Sequence, residues 1–236
     1  MTLSFSHNIR RDDIGVAVVA ATGVSGSAPL DAATEAELAE LLETRKAEPL
    51  SEGEEKVRSA ARDILRNGGY KPTGRGKPAS EYLLGAAREG TFPRVSALVD
   101  VNNFISLKYV LPISLWDAGR CASADFEFRL GREGESYVFN NAGQEIDLAD
   151  LVCGCEVNAG GSRPIVNPIK DSMGTKVQPG TSIVAGAIYF PTKALRPGEI
   201  EAAADEFLAK LFNGAAGLGG KLILRPGDKK GTLLDF

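Results

Sequence analysis

The sequence predicts a mixed domain of helices and strands, and three patterns support this. Residues 14–22, IGVAVVAAT, are a short run of apolar and β-branched residues, which is typical of a buried strand. Residues 51–69 carry apolar side chains at helical spacing and begin with the capping box Ser51-x-x-Glu54. Residues 125–130, DFEFRL, alternate apolar and charged side chains, as a half-buried strand does.

The remaining segments extend this pattern from one end of the chain to the other. Helices are expected at 31–46 with Asp31 as N-cap, 78–90, from 97 after Ser96, and 198–214, and strands at 136–139, 145–153, 182–190 and 221–225. No change in composition marks a second domain, so we expect residues 1–236 to form a single one.

Composition limits the possible location of the chain. It is 43% hydrophobic and 25% charged, without the run of roughly 20 apolar residues that spans a bilayer. The N-terminus MTLSFSHNIRRDD does not have the pattern of a secretory signal. Three cysteines are an odd number in a chain of this length, which argues against a disulfide framework and fits a reducing compartment. A cytoplasmic protein without a membrane partner is therefore expected.

The charge is unevenly distributed. Residues 31–56 hold nine carboxylates and three basic residues, whereas residues 66–94 hold six basic residues and two carboxylates. The second stretch could receive a phosphate backbone, or it could be an ordinary solvated face.

Most familiar catalytic groups are missing from the sequence. The only histidine, His7, lies near the N-terminus, where we expect a frayed end, so histidine-based triads and metal sites lack their central residue. Cys153 and Cys155 are expected to be buried strand residues, and neither a metal nor another cofactor is expected. The segment GYKPTGRGKPAS does not have the register of a phosphate-binding P-loop. Arg75 and Lys77 still precede a helix N-terminus, which favours an anion.

Three separated motifs carry more information. Residues 97–103, ALVDVNN, are followed by Pro112 and Asp117 in PISLWD, and then by a predicted strand and turn over 129–135. In order and spacing these motifs resemble the B-three/B-four domain, the editing and tRNA-binding domain of the phenylalanyl-tRNA synthetase beta subunit. The resemblance covers about residues 60–212 and identifies the chain as similar to a free-standing relative of that domain. It implies an α+β fold, a layered domain in which an unusual β-sandwich or mixed sheet is flanked by helices.

The resemblance also implies a function, the hydrolysis in trans of a mischarged aminoacyl-tRNA ester. Such an ester is already activated, so a positioned water and donors for the oxyanion suffice. The partners implied are tRNA and an amino acid. The residues implied are Ser114 and Asn103 at the ester; Asn102, Asn158, Gly160, Gly161, Arg163, Gly186 and Ala187 around the substrate; and Arg75, Lys77 and Arg94 on the acceptor phosphates.

The chain departs from the family at one informative position. Ser114 stands where the synthetase domains commonly have a histidine, and a hydroxyl cannot act as a base near neutral pH. Gly186 and Ala187 could leave room for a ligand or serve close sheet packing. Asp100, Asn102 and Asn103 could fasten their helix to adjacent backbone or contact a ligand, and we expect Asn102 to pair with Ser106.

Three functions therefore remain open. The first is the editing hydrolase. The second is a non-catalytic module that binds an amino acid, another small molecule or tRNA. The third is a structural or interaction protein with a filled pocket and Ser114 in its core.

Overall fold

The structure is a computed structural model that describes residues 2–228 and 230–233. Its helices are α1 Ala32–Ala47, α2 Glu52–Asp63, α3 Ala79–Glu89, α4 Ala97–Tyr109 and α5 Glu199–Leu211. Its strands are β1 Leu3–His7, β2 Ile14–Thr22, β3 Ile113–Asp117, β4 Asp125–Leu130, β5 Ser136–Val138, β6 Glu145–Asp147, β7 Val152–Asn158, β8 Gly161–Val166, β9 Ile183–Pro191, β10 Leu218–Leu224 and β11 Gly231–Leu233. None of the described helices is long and apolar enough to cross a membrane.

The strands form two larger sheets and one short hairpin. The first sheet has the order β11-β1-β4-β7-β8, the second has the order β10-β2-β9-β3, and β5 pairs with β6. Within the two larger sheets, β1 and β4 are parallel and the other pairs are antiparallel. One apolar core lies between the two sheets, and a second lies between the second sheet and helices α1, α4 and α5. The α+β class expected from the sequence is confirmed, with two stacked sheets and a helical layer on one side.

The position of β2 between two cores explains why its sequence is apolar throughout. Val16 and Val18 belong to the core between the sheets, whereas Ala17 and Val19 belong to the core under the helices. Because successive side chains of a strand point to opposite faces, a strand covered on both faces has no polar positions. The strand also lies inside its sheet, between β10 and β9.

The expected helix starts are present. The Asp31 side chain accepts hydrogen bonds from the amides of Ala33 and Thr34 at 3.1 and 3.0 Å, and Ser51 and Glu54 form the capping box of α2. Helix α2 ends at Asp63, within the 51–69 segment that has helical spacing in the sequence. The chain turns there because the Asn67 side chain donates to the carbonyl oxygen of Ile64 at 3.1 Å.

The N-terminal strand differs from expectation. His7 was expected in a frayed end, but it is buried and closes β1, which pairs with β4. Its ring Nε2 lies 2.9 Å from the carbonyl oxygen of Ile14. The expectation was wrong because β1 obtains its partners from distant parts of the chain, β4 and β11.

Gly186 provides a test of the contact between α5 and the second sheet. A Cβ atom at this position would lie 2.6 Å from Cε1 of Phe207, so the ring packs directly on the β9 backbone. We expect Gly186→Ala to lower the free energy of unfolding by about 1–3 kcal/mol, as overpacking does, measured by urea denaturation.

The matched control is Gly85→Ala in α3, where a Cβ would meet nothing within 4 Å. This change is expected to raise stability by up to about 1 kcal/mol, because alanine is the better helix former. Equal effects of the two substitutions would contradict the packing role of Gly186.

Candidate functional site

A deep cleft opens between α3, α4 and the segment 167–171 that follows β8. Its outer part, the outer cleft, has a volume of about 750 Å³. Its inner part, the inner chamber, has a volume of about 290 Å³. Polar residues that line the outer cleft include Arg75, Lys77, Glu81, Tyr82, Asn102, Asn103 and Lys170. The inner chamber shares Asn102, Asn103 and Lys170 with it and adds Asn167, Asp171 and Lys176.

Helix α4 carries one residue that fixes the start of the helix and two residues that line the cleft. Asp100 accepts hydrogen bonds from the Val95 amide at 2.8 Å and from Arg94 Nε at 2.9 Å, so it ties the start of α4 to the preceding loop. Asn102 and Asn103 instead line both parts of the cleft, and Asn102 Nδ2 donates to Asn103 Oδ1 at 3.3 Å. The fastening role therefore belongs to Asp100.

Ser106 does not pair with Asn102 as expected. Its hydroxyl donates to the carbonyl oxygen of Leu111 at 2.7 Å. This bond spans the end of α4, where Val110 has a left-handed backbone with φ of 56°. Such a conformation is unfavourable for a β-branched residue, so Ser106 helps to hold the turn that leads into β3.

The outer cleft carries an excess of positive charge. Arg75 and Lys77 are exposed, and neither forms an ion pair with another described residue. Burial, and next the charge of Arg75, lower the pKa of Lys170. Of the two carboxylates that line the outer cleft, Glu81 is engaged by Arg62 and by Arg58 at 3.2 Å, and Glu89 is exposed at the end of α3. The cleft can therefore bind an anion through cations that have no carboxylate partner.

The wall of the inner chamber is a buried polar cluster around Ser114. The Ser114 hydroxyl donates to the carbonyl oxygen of Asn167 at 2.9 Å, and the Asn167 side-chain oxygen accepts from the amides of Ile169 and Lys170, each at 2.8 Å. Asp171 Oδ2 accepts from the Leu115 amide at 3.2 Å. These bonds fix the 167–171 segment against β3.

Asp171 is the titratable group of this cluster. The residue as a whole is half-buried, but its Oδ1 atom is fully buried and has no hydrogen-bond partner among the described residues. Burial raises the pKa of the Asp171 carboxyl from 3.8 to about 7, although the neighbouring Ser114 hydroxyl, the hydrogen bond from the Leu115 amide and the charge of Lys176 oppose the rise. The group changes charge near neutral pH.

Ser114, Gly186 and Ala187 lie behind the cleft. Ser114 is 0% exposed and pairs with Ala187 in the β3–β9 ladder, where Ala187 belongs to the core between the sheets. Gly186 faces the other way, against Phe207. Of the two alternatives for Gly186 and Ala187, the structure shows close packing.

The four predicted residues of the β7–β8 hairpin lie apart from the cleft. Asn158 Oδ1 accepts from the Gly160 amide at 2.8 Å, and Gly161 opens β8. Arg163 Nη2 bonds Oε1 of the buried Glu156 at 2.6 Å. Since β8 runs away from this tip towards Asn167, the tip is about 17–20 Å from the inner chamber at strand spacing.

Arg94 is also separated from the other predicted cations. It binds Glu35 at 2.5 Å and Asp100 at 2.9 Å, so its guanidinium joins α1 to α4. Of the residues indicated by the sequence, the cleft therefore brings together Arg75, Lys77, Asn102 and Asn103.

The sequence analysis did not identify several other residues that line the cleft. Tyr82, Asn167, Lys170, Asp171 and Lys176 all line it. The Asn167-Pro168 pair is a turn signal, and Lys170-Asp171 places two charges just after a buried strand. No group of three or more His, Cys, Asp or Glu side chains in residues 2–228 and 230–233 is arranged to hold a metal ion.

Asp171 makes stability depend on pH. Its folded-state pKa of about 7 lies above the ordinary value of 3.8, so the folded protein binds this proton more tightly than the unfolded chain does. The protonated carboxyl therefore contributes to the free energy of unfolding. This contribution is fully present below pH 4 and is lost as the pH rises through 7. Asp171→Asn removes this titration.

The measurement is urea denaturation of both proteins across this range. The unfolding free energy of the wild type, relative to Asp171→Asn, is expected to fall between pH 5 and 7 by up to about 1.4 kcal/mol per pH unit. A pH-independent difference would contradict the assignment.

Comparisons with known proteins show a similarity to solved structures. No family model matches the chain, and no curated protein sequence matches it. Among solved structures, it is similar to an N-terminal fragment of the phenylalanyl-tRNA synthetase beta subunit from Pyrococcus horikoshii, with a TM-score of 0.44 and 10% identity. The match covers 93% of this chain and 53% of the other, so the chain spans about half the length of that structure. A similarity of this size does not establish a shared function.

Proposed function

We propose that this chain binds an aminoacyl-tRNA in the cleft and hydrolyses a mischarged ester in trans. One observation carries the proposal. Asn102 and Asn103, which belong to the motif that resembles the editing domain, line both the basic outer cleft and the inner chamber. They lie where the outer cleft meets the inner chamber. In a substrate with an anionic part and a small acyl part, the link between the two parts would lie there.

The two parts of the cleft suit the two parts of such a substrate. Arg75 and Lys77 offer unpaired cations for the phosphates of the RNA end. The inner chamber, at about 290 Å³, lies at the lower end of the volumes of small-molecule pockets and suits an amino-acid side chain. Val99, Leu115 and Val177 supply apolar surface there, beside the polar cluster.

The reaction needs only a positioned water and stabilisation of the oxyanion. In the proposed arrangement the Asn103 side-chain amide donates to the ester carbonyl oxygen, which becomes negative when water attacks the carbonyl carbon. Asp171, the only carboxylate among the described residues that line the inner chamber, accepts the proton of that water. Its pKa of about 7 suits a base near neutral pH. The bond to the ribose oxygen then breaks, this oxygen takes the proton back from Asp171, and the amino acid is released.

Ser114 acts indirectly in this arrangement. Its hydroxyl is buried and donates to Asn167, so it positions the segment that carries Asp171 and does not touch the substrate. The Asn158–Arg163 hairpin and Arg94 have no part in the cleft as the structure places them.

The test is deacylation of a full panel of mischarged tRNAs by the purified chain. At least one ester is expected to be hydrolysed, and Asn103→Ala is expected to lower kcat by about 10²–10³-fold, as loss of an oxyanion donor does. Asn8→Ala, which removes an exposed asparagine beside β1, is the matched control and should leave kcat unchanged. Silence across the panel would sink the proposal.

Ser114→Ala provides a further arm of the same experiment. The neighbouring Ser114 hydroxyl lowers the pKa of Asp171, so its removal should move the rise of kcat with pH to higher pH. An unshifted profile with reduced kcat would show that Ser114 matters for packing alone.

A second function, a non-catalytic module that binds an amino acid or tRNA, is favoured by the burial of Ser114. The hydroxyl that replaces the family's histidine is 0% exposed and donates to a backbone carbonyl, so it offers no base to the cleft.

A thermal-shift screen against the free amino acids distinguishes this function. If the module is non-catalytic, at least one amino acid should raise Tm while the deacylation panel stays silent, because a ligand of the folded state stabilises it. Asn102→Ala should abolish the rise in Tm. If an amino acid raises Tm and the chain also deacylates a tRNA, the hydrolase is favoured over the non-catalytic module.

A further inference from the structure

Tyr82 is an exposed aromatic side chain inside the basic cleft. It is 69% exposed, although it lies on α3 among the residues that line the outer cleft. None of the contacts described for Tyr82 gives its ring a structural role. Its position beside unpaired cations leaves the ring available to a ligand.

The surface next to Tyr82 is open. Gly85 follows it by three residues on the same face of α3, and a Cβ at Gly85 would meet nothing within 4 Å. Ala86 continues this small-residue floor. A planar group can therefore lie against the Tyr82 ring without displacing another side chain.

Cations surround this open platform. Arg75 and Lys77 line the same outer cleft, and Lys170 reaches it from the segment after β8, where its Nζ atom lies 3.9 Å from the centroid of the Phe139 ring. Two carboxylates of α3 line the same cleft: Glu81 is held by Arg58 and Arg62, and Glu89 is exposed near the end of the helix. With three cations against these two carboxylates, one of them already paired, phosphate groups would meet a net positive charge a short distance from an aromatic face.

From this combination we infer that the outer cleft binds a nucleotide at the end of a single RNA strand, with its base stacked on Tyr82 and its phosphate held by Arg75, Lys77 and Lys170. Base stacking on aromatic side chains, together with a basic groove, is how proteins hold single-stranded nucleic acid. The inference rests on the proposed function for the choice of an RNA end, and it assigns the outer cleft to the nucleotide and the inner chamber to the acyl group.

Three ligands separate the two contacts. Adenosine tests the base alone, inorganic phosphate tests the anion alone, and AMP tests both, each by isothermal titration calorimetry of the full chain. AMP is expected to bind more tightly than either adenosine or phosphate. Tri-glutamate serves as an anion without a base.

Four variants assign the contacts to residues. Tyr82→Ala should weaken adenosine and AMP by about 5- to 100-fold and leave phosphate unchanged, and Tyr82→Phe should retain binding because it keeps the ring. Lys77→Ala should weaken AMP and phosphate but not adenosine. Lys46→Ala, an exposed lysine on α1 outside the cleft, is the control and should change none of the three.

Two results would overturn the inference. One is the absence of binding by AMP and adenosine. The other is AMP binding that Tyr82→Ala does not weaken and that tri-glutamate equals, which would make the cleft a general anion site. AMP binding without deacylation would refute the hydrolase and support the nucleotide site. Deacylation that Tyr82→Ala leaves unaffected, without AMP binding, would refute the nucleotide site alone.

Discussion

The central strands of the second sheet are buried on both faces, and the rest of the architecture depends on that constraint. Strands β2 and β9 lie between the first sheet and the helices, so neither can carry polar side chains at its centre. Polar side chains with a chemical role are therefore expected at the edge of the sheet. Strand β3 is the edge of this sheet, and α3 and α4 meet it there. The cleft lies at the place where the double coverage ends.

The same edge explains why a carboxyl group is buried beside β3. An edge strand presents backbone amides without a strand partner, and proteins satisfy or cover them. Here Asp171 Oδ2 accepts from the Leu115 amide, and Ser114 binds the carbonyl oxygen of Asn167. Covering the edge thus removes part of Asp171, including its Oδ1 atom, from water and raises its pKa to about 7. The group that closes the sheet becomes, for that reason, the group with chemistry available near neutral pH.

The sequence predicted local structure well and the site in part. Strand β2, the Asp31 and Ser51 caps and the helix at 97–109 follow from nearest neighbours along the chain, and all are present. Arg75, Lys77, Asn102 and Asn103 were identified because they lie in recognisable local patterns. Asp171 and Tyr82 could not be found this way, since the burial of one and the exposure of the other depend on contacts across the fold. The β1 strand at His7 was missed for the same reason.

The net charge of −4 does not argue against an anionic ligand, because much of the acidic charge is engaged within the fold. Glu35 binds Arg94, Glu54 binds Arg45 at 2.6 Å, and Glu81 binds Arg58 and Arg62. These pairs join helices to one another and use the cations that lie outside the cleft. Arg75 and Lys77 remain without such partners among the described residues. Since charges separated by more than about 10 Å are screened at moderate salt, a ligand in the cleft responds to these local cations and only weakly to the total charge.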